Sequence, residues 1–424
     1  MAVSVIQTSF RYTAASTSNI VLSGWGFQPK AIIVHWNGVD SATDAVGSDS
    51  IACGWGFAIG SGTSNQRCAS YVSTDGGTSS AGSTWHQDAV IAIADNTATL
   101  DGYINVSSFD SGGVTFAVPD AISFGFTCMV IGIGGDDITN VYVGSDTTNT
   151  ATGNKSNTAV GFQPDIMFFT ACHDGNNAYA GGGGSNSEAG VSFGAAMSST
   201  AQYCVSVAQD DNSTTMDTGA YITDNEFLSS QSVSTPATIV DRKKMVTMDT
   251  NGFTWNQLEL PQTASCYFHF LAIKGGSWAV GDFLTQTDTS TTVTESGLSF
   301  TPKLVIAASA NRAKSTTDTG TTNASMSFGA ATSTSQRMAM AIWDQNGTAD
   351  AETATAVEYD EIYANIDSSD AIQGLLDITD MSSGQLQFIN DDADPSQCFV
   401  WYATLGDSAA AATTVSLLML LGAG

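Results

Sequence analysis

A chain of 424 residues is long enough for two to four domains, and with 42% hydrophobic but only 12% charged residues its polar surface has to come from Ser, Thr, Asn and Gly. Forty-two Gly against seven Pro, with few runs of strong helix formers, disfavours long amphipathic helices and favours short strands joined by tight turns. Forty-one acidic against twelve basic residues give a formal net charge of -29, which repels phosphate backbones and anionic lipid head groups and excludes nucleic acid as a partner.

The amino terminus, MAVSVIQTSFRY, lacks the basic start and apolar run of a secretory signal, so export by that route is not expected. The first strong strand follows Phe27-Gln28-Pro29-Lys30 and reads AIIVHW, apolar on both faces as in a strand buried from both sides. Pro29 sits at the strand entry, where a missing ladder donor is tolerated. Next come Gly56-Phe57-Ala58-Ile59, then Gln66-Arg67-Cys68 opening an alternating segment, then a turn Gly113 before Val114-Thr115-Phe116, and a closing apolar strand from Phe126 to Gly134.

After Gly135-Asp136-Asp137 the series begins again. Val141-Tyr142-Val143 leads to Phe162-Gln163-Pro164-Asp165 with IMFFTA, Phe193-Gly194-Ala195-Ala196, Gln202-Tyr203-Cys204, Gly252-Phe253-Thr254-Trp255, and a closing strand from Cys266 to Gly275. A third series runs from Trp278-Ala279-Val280 through Phe300-Thr301-Pro302-Lys303 with LVIAAS, Phe328-Gly329-Ala330-Ala331, Gln336-Arg337-Met338, Gly384 to Phe388, and Cys398 to Gly406. The FxP blocks are offset by 135 and 138 residues, and Phe57, Phe193 and Phe328 by 136 and 135. Several blocks recurring in one order predict an all-β chain with very little helix, built as three tandem β-sandwich or jelly-roll-like domains of about 135 residues each. The boundaries fall at 1–137, 138–277 and 278–407, with an apolar tail over 408–424. The apolar run Val415 to Leu421 in that tail is too short to span a bilayer, and no other stretch reaches the roughly 18 apolar residues needed, so no membrane span is expected. Several adjacent Leu there suit packing on a neighbouring surface.

The repeat constrains the seven cysteines. Cys68 and Cys204 align with Met338, and Cys266 and Cys398 with Phe126, so these places accept any apolar side chain and the thiols are expected to be reduced core residues. Cys53, Cys128 and Cys172 have no such counterpart. The four histidines, His35, His86, His173 and His269, form no ligand pair at short spacing. There is no HExxH, GxSxG or CxxC, and the glycines Gly181 to Gly184 lack the Lys and helix of a phosphate loop. No catalytic residue and no cofactor are expected. Calcium is the one ion the acidic turns would suit, at Asp136-Asp137, at Asp210-Asp211-Asn212, or at Asp391, Asp392 and Asp394, although solvated turn carboxylates account for them more simply.

At the FQPK-plus-apolar-strand repeat, the chain resembles repeated β-rich proteins encoded among the structural genes of tailed bacteriophages. The second copy departs from that pattern with Asp165 and the third with Thr301. The resemblance implies a non-enzymatic virion protein (a head decoration, a fibre or a tail component) assembled in the host cytoplasm, with other virion proteins and symmetric copies of itself as partners. The alternative is a receptor- or carbohydrate-binding adhesin in which Trp36, Trp55 or Trp85 stacks on sugar faces, with core burial the plainer role for those rings. A depolymerase is the third reading, and no recurring catalytic constellation supports it.

Overall fold

The computed structural model describes residues 2–47, 50–76, 80–173, 177–179, 182–185, 188–210, 215–233, 238–261, 266–314, 323–348, 352–367 and 369–407. The described chain is all-β, and its strands pair antiparallel; the helical content among the described residues is one short turn at Thr63–Asn65. The 408–424 tail, Asp211, Asn212 and Gly181 lie outside the described residues.

Six sheets form, in three like pairs. The first large sheet orders its strands Val3–Tyr12, Phe126–Gly135, Pro29–Asn37, Ile51–Ala58, Gln66–Ser73 and Ala81–His86, and faces a four-stranded sheet of Ile20–Ser23, Gly113–Asp120, Leu100–Asp110 and Ile91–Ala94. The second runs Ile138–Thr147, Tyr267–Gly275, Ile166–Cys172, Glu188–Ser198, Ala201–Asp210 and Thr218–Thr223, against Gly153–Asn157, Gly252–Gln257, Thr238–Asp249 and Leu228–Ser232. The third runs Ser277–Leu284, Phe399–Gly406, Pro302–Ser309, Ala324–Ser333, Gln336–Asp344 and Thr353–Glu358, against Thr292–Ser296, Gln385–Asp392, Ile372–Asp380 and Tyr363–Ile366.

Period-2 alternation explains why the strands after each FxP motif are apolar throughout. Ile32 and Val34 point into the core between the first large sheet and its small partner, whereas Ala31 and Ile33 point the other way. That other face belongs to one continuous cluster shared by all three large sheets, which holds Ile33 together with Phe168 of the second and Ile306 of the third. The three large sheets therefore close around a common centre, and the small sheets lie outside.

Loops exchange between the sets in a cyclic pattern. Ala45–Gly47, from the first set, adds to the outer strand Thr353–Glu358 of the third. The hairpin Asn177–Tyr179 and Gly182–Ser185, from the second, adds to Ala81–His86 of the first. The loop after Pro302–Ser309, from the third, reaches the outer strand of the second, where Arg312 Nη1 donates to the Ala220 carbonyl at 2.5 Å and Lys314 pairs with Asp224. The outer strands Thr353–Glu358 and Ala81–His86 thereby gain a ladder partner from a neighbouring set, and Thr218–Thr223 gains side-chain contacts, so these edges offer fewer unpaired backbone groups.

The ladders also revise the alignment of the three series. Gly56 sits opposite Val34 and Cys68, Gly194 opposite Phe169 and Cys204, and Gly329 opposite Ala307 and Ala339. At each of these glycines a Cβ would overlap the carbonyl of the residue just before a small-sheet strand, Val90, Phe227 or Ile362, so the three are the same place. Trp55, not Phe57, is then the counterpart of Phe193 and Phe328, and Phe57 matches Ala195 and Ala330. Cys68 and Cys204 match Ala339, not Met338. Arg337 takes the place of Gln66 and Gln202: its Nη1 donates to the Ile378 carbonyl at 3.2 Å as Gln66 Nε2 does to Val106 at 3.1 Å and Gln202 Nε2 to Met245 at 3.5 Å. The third set of strands starts at Ser277, one residue before the expected boundary, because the positive φ of Gly275 (97°) and Gly276 (73°) makes the turn there.

Candidate functional site

The FxP segments stand at the junctions between sets. Phe27 and Phe162 pack at the margins of the first and second sandwich cores, and Phe300 is buried. Phe27 and Phe300 lie over Gly134 and Gly406, where a side chain would meet the rings. Pro29 and Pro302 open their strands opposite those same glycines, while Pro164 precedes its strand. The lysine that follows reaches the next set. Lys30 Nζ donates to the Ile138 carbonyl at 2.6 Å, and Lys303 Nζ donates to the Val3 carbonyl at 3.1 Å and pairs with Asp407 at 2.7 Å. Asp407 also accepts the Val3 N–H at 2.7 Å, which ties the first strand to the end of the last. Asp165, at the equivalent place, instead accepts the Gly275 N–H at 2.7 Å. In the first and third copies the lysine after the motif thus joins one set to the next, whereas in the second Asp165 holds the end of its own set.

At the common centre, Trp55, Phe193 and Phe328 form a ring of aromatics. Their centroids are 5.1 Å apart for Trp55 and Phe193, 5.2 Å for Phe193 and Phe328, and 5.8 Å for Trp55 and Phe328. Trp401 stacks on Phe193 and His35 on Trp55. Trp36 and Trp55 are fully buried and Trp85 is 8% exposed, so none offers a face to a sugar. On the neighbouring strands Gln66–Ser73, Ala201–Asp210 and Gln336–Asp344 a buried polar group joins all three sets: Tyr71 Oη donates to Asp344 Oδ2 at 2.5 Å and lies 2.7 Å from Gln209 Oε1. Burial pushes the Asp344 carboxyl up to about 7, against the opposing hydrogen bonds from Tyr71 and Ser73.

The histidines are spent on structure. His35 Nδ1 is 2.9 Å from the Gly54 carbonyl and its pKa is lowered by burial to about 3; His269 Nδ1 is 2.8 Å from Ser145 Oγ and burial lowers its pKa well below the usual imidazole range. His86 is lowered by burial and accepts the Asp88 N–H, and His173 faces Glu188 at 3.3 Å. The four rings stand at different places and converge on no common point that would bind a metal among the described residues.

The acidic turns singled out in the sequence remain apart. Asp136, Asp391 and Asp392 are exposed, Asp137 is buried, and Asp210 accepts the Asp217 N–H at 3.0 Å. Asp394 is fully buried and saturated by donors, accepting from Thr285 Oγ1 at 3.0 Å, Tyr363 Oη at 2.8 Å and Asn365 Nδ2 at 3.3 Å. The one group of three acidic residues whose oxygens converge among the described residues is Asp44, Glu358 and Asp360. Sequence reading missed it because its members are brought together only by the strand exchange.

All seven cysteines are buried. Burial raises the pKa of Cys53, Cys68, Cys128 and Cys204, and pushes Cys398 up to about 12, so the nucleophilic thiolate is suppressed at neutral pH. These five thiols are expected to resist a soluble alkylating reagent in the native protein and to react once it is denatured. Peptide mass spectrometry after pulse labelling reads this directly, and rapid native labelling of Cys68 or Cys204 would contradict the packing.

A cleft of about 770 Å³ opens at the end of the first sandwich, lined by Asp40, Ser41, Asp95, Asn96, Asp101 and Phe124 among others. A smaller one of about 400 Å³, with Asn311, Arg312 and Asp367, lies at the matching end of the third. No helix among the described residues is long and apolar enough to cross a membrane. Compared with known proteins, the chain matches no family model and no curated protein.

Proposed function

We propose that the chain consists of three copies of one β-sandwich domain fused into a single-chain pseudo-trimer, and that it is a non-enzymatic structural protein on the surface of a virus particle. The observation that carries this reading is the cyclic closure: three like sets of strands share one buried centre, and each sends a loop to the outer strand of a neighbour. Such an object suits a place of threefold or quasi-threefold symmetry in a larger assembly, where each outward face meets an equivalent neighbour. Covered edges also guard against strand pairing with stray chains at the high local concentration of an assembling particle. The resemblance to phage structural proteins at the FxP strands points the same way, and the acidic, Ser- and Thr-rich exterior suits a surface that stays soluble while exposed. Its partners are other virion proteins.

Quantitative mass spectrometry of purified particles tests this. The chain is expected there in many copies, at a fixed ratio to the major shell or tail protein. Recovery solely in the soluble fraction of a lysate would remove the virion role while leaving the pseudo-trimer intact.

A second reading, a carbohydrate-binding adhesin, draws on the polar cleft of the first sandwich, since the tryptophans are buried. Glycan-array binding lost on Asp101→Ala would favour it over a purely structural role.

A further inference from the structure

The strand exchange between the first and third sets assembles a group of charges that neither set holds alone. Asp44 immediately precedes the strand Ala45–Gly47, while Glu358 ends the strand Thr353–Glu358 to which that short strand adds, with Asp360 two residues on. One oxygen from each of the three carboxylates lies within 4.8 Å of the others. The place is pre-shaped: Asp44 Oδ1 accepts the Tyr359 N–H at 2.7 Å, and Tyr359 Oη donates to the Ser41 carbonyl at 2.6 Å, so loop and strand end are pinned to each other.

Glu358 is the informative member. It is 6% exposed, its carboxylate is aimed into the group, and no donor among the described residues reaches it. A buried, unpartnered carboxylate beside two others is costly unless a proton or a cation compensates. The arginines of this region are committed elsewhere. Arg337 donates to the backbone carbonyls of Asp360 and Ile378 and pairs with Asp377, and Arg11 pairs with Asp40 at 2.7 Å.

We propose that Asp44, Glu358 and Asp360 form a calcium site that fastens the exchanged strand of the first set to the outer strand of the third. An all-oxygen, all-carboxylate group suits a hard divalent cation, and calcium tolerates the irregular geometry of ligands drawn from a loop and a strand end better than magnesium, which demands a near-ideal octahedron. Water completes the shell on the exposed side of Asp44 and Asp360. The site would thereby make the closure of the ring depend on calcium.

The test uses the full chain, stripped with chelator and titrated near neutral pH with calcium chloride, followed by calorimetry and thermal unfolding. Saturable binding of one ion and a rise of several degrees in Tm are expected, with sodium chloride at equal ionic strength giving no comparable rise. Glu358→Gln is expected to raise Tm in chelator, by relieving the repulsion, and to abolish the calcium response. Asp360→Asn, at an exposed position and so a safe second variant if the first folds poorly, is expected to weaken calcium binding at least tenfold. The proposal is overturned if calcium does not saturate, if sodium reproduces the rise, or if both variants respond like the parent.

Discussion

Phe193→Ala lowers the stability of the whole molecule by about 4 kcal/mol, the usual range for removing a fully buried aromatic. Phe193 is fully buried and its ring touches aromatics of all three sets: Trp55 of the first at 5.1 Å, Phe168 of its own at 6.3 Å, and Phe328 and Trp401 of the third at 5.2 and 5.7 Å. The cavity opens where three sheets converge, and none can collapse into it without leaving the other two. Urea unfolding followed by fluorescence should show an earlier midpoint within one transition, whereas Val21→Ala, at a residue 61% exposed, should change stability by less than about 0.5 kcal/mol. A cycle with Trp55→Ala is the stricter measure, because direct neighbours couple by about 1 kcal/mol or more while separate domains would add independently. Strict additivity, or a second transition appearing in Phe193→Ala alone, would mean that the three sets do not share one centre.

How much of this was legible in the sequence depended on whether a feature was periodic. All-β structure and the continuous strands after Phe27, Phe162 and Phe300 followed from composition and from apolar runs that need two buried faces. The central aromatics were matched at a wrong position in the first copy. Aligning Phe57 with Phe193 slips the register by two residues, and since strand side chains alternate with period 2, Phe57 still points to the centre where Trp55 stands. Aligning Gln336 with Gln66 and Gln202 slips by one residue, and that error changes faces. Met338 belongs to the shared centre, whereas Cys68 lies between the first large sheet and its small partner, so the two were never equivalent. Arg337 hid the match by replacing an amide with a guanidinium that makes the same backbone contact. The strand exchange left no trace at all. Ala45–Gly47 is three residues long and pairs with a strand some three hundred positions away, so neither propensity nor spacing could announce it, and the Asp44, Glu358 and Asp360 group was hidden with it.

The buried carboxylates set a pH dependence opposite to that of ordinary surface acids. Asp344 is fully buried and pushed up to about 7 by that burial, Glu358 is held at about 7 by burial with Asp44 and Asp360, and Glu361 is raised to about 9 by burial and the neighbouring Asp377. Each folded value lies above the value of the unfolded chain near 4, so between the two the folded state holds protons that the unfolded state has released, and stability falls as pH rises through that window. His35, lowered to about 3 by burial, acts in the other direction, since the unfolded chain gains a proton below about 6.5 that the folded chain refuses. His86 and His269, also lowered by burial, add to it. Acids and histidines therefore offset each other on the acid side of neutrality, and above about pH 6.5 the carboxylates act alone. Stability should be greatest slightly below neutral pH and decline toward about pH 9. Asp344→Asn separates one contributor: it keeps an acceptor for Tyr71 Oη and carries no charge, so at about pH 8 it should be more stable than the parent by roughly 2 kcal/mol, half of the ~4 kcal/mol that a shift of this size represents before internal relaxation. At about pH 4, where the folded carboxyl is already protonated, the advantage should vanish. Denaturant midpoints for the two proteins across that range would converge at low pH; curves that ran parallel throughout would show that Asp344 is not buried against its charge, and the polar joint with Tyr71 and Gln209 would need another explanation.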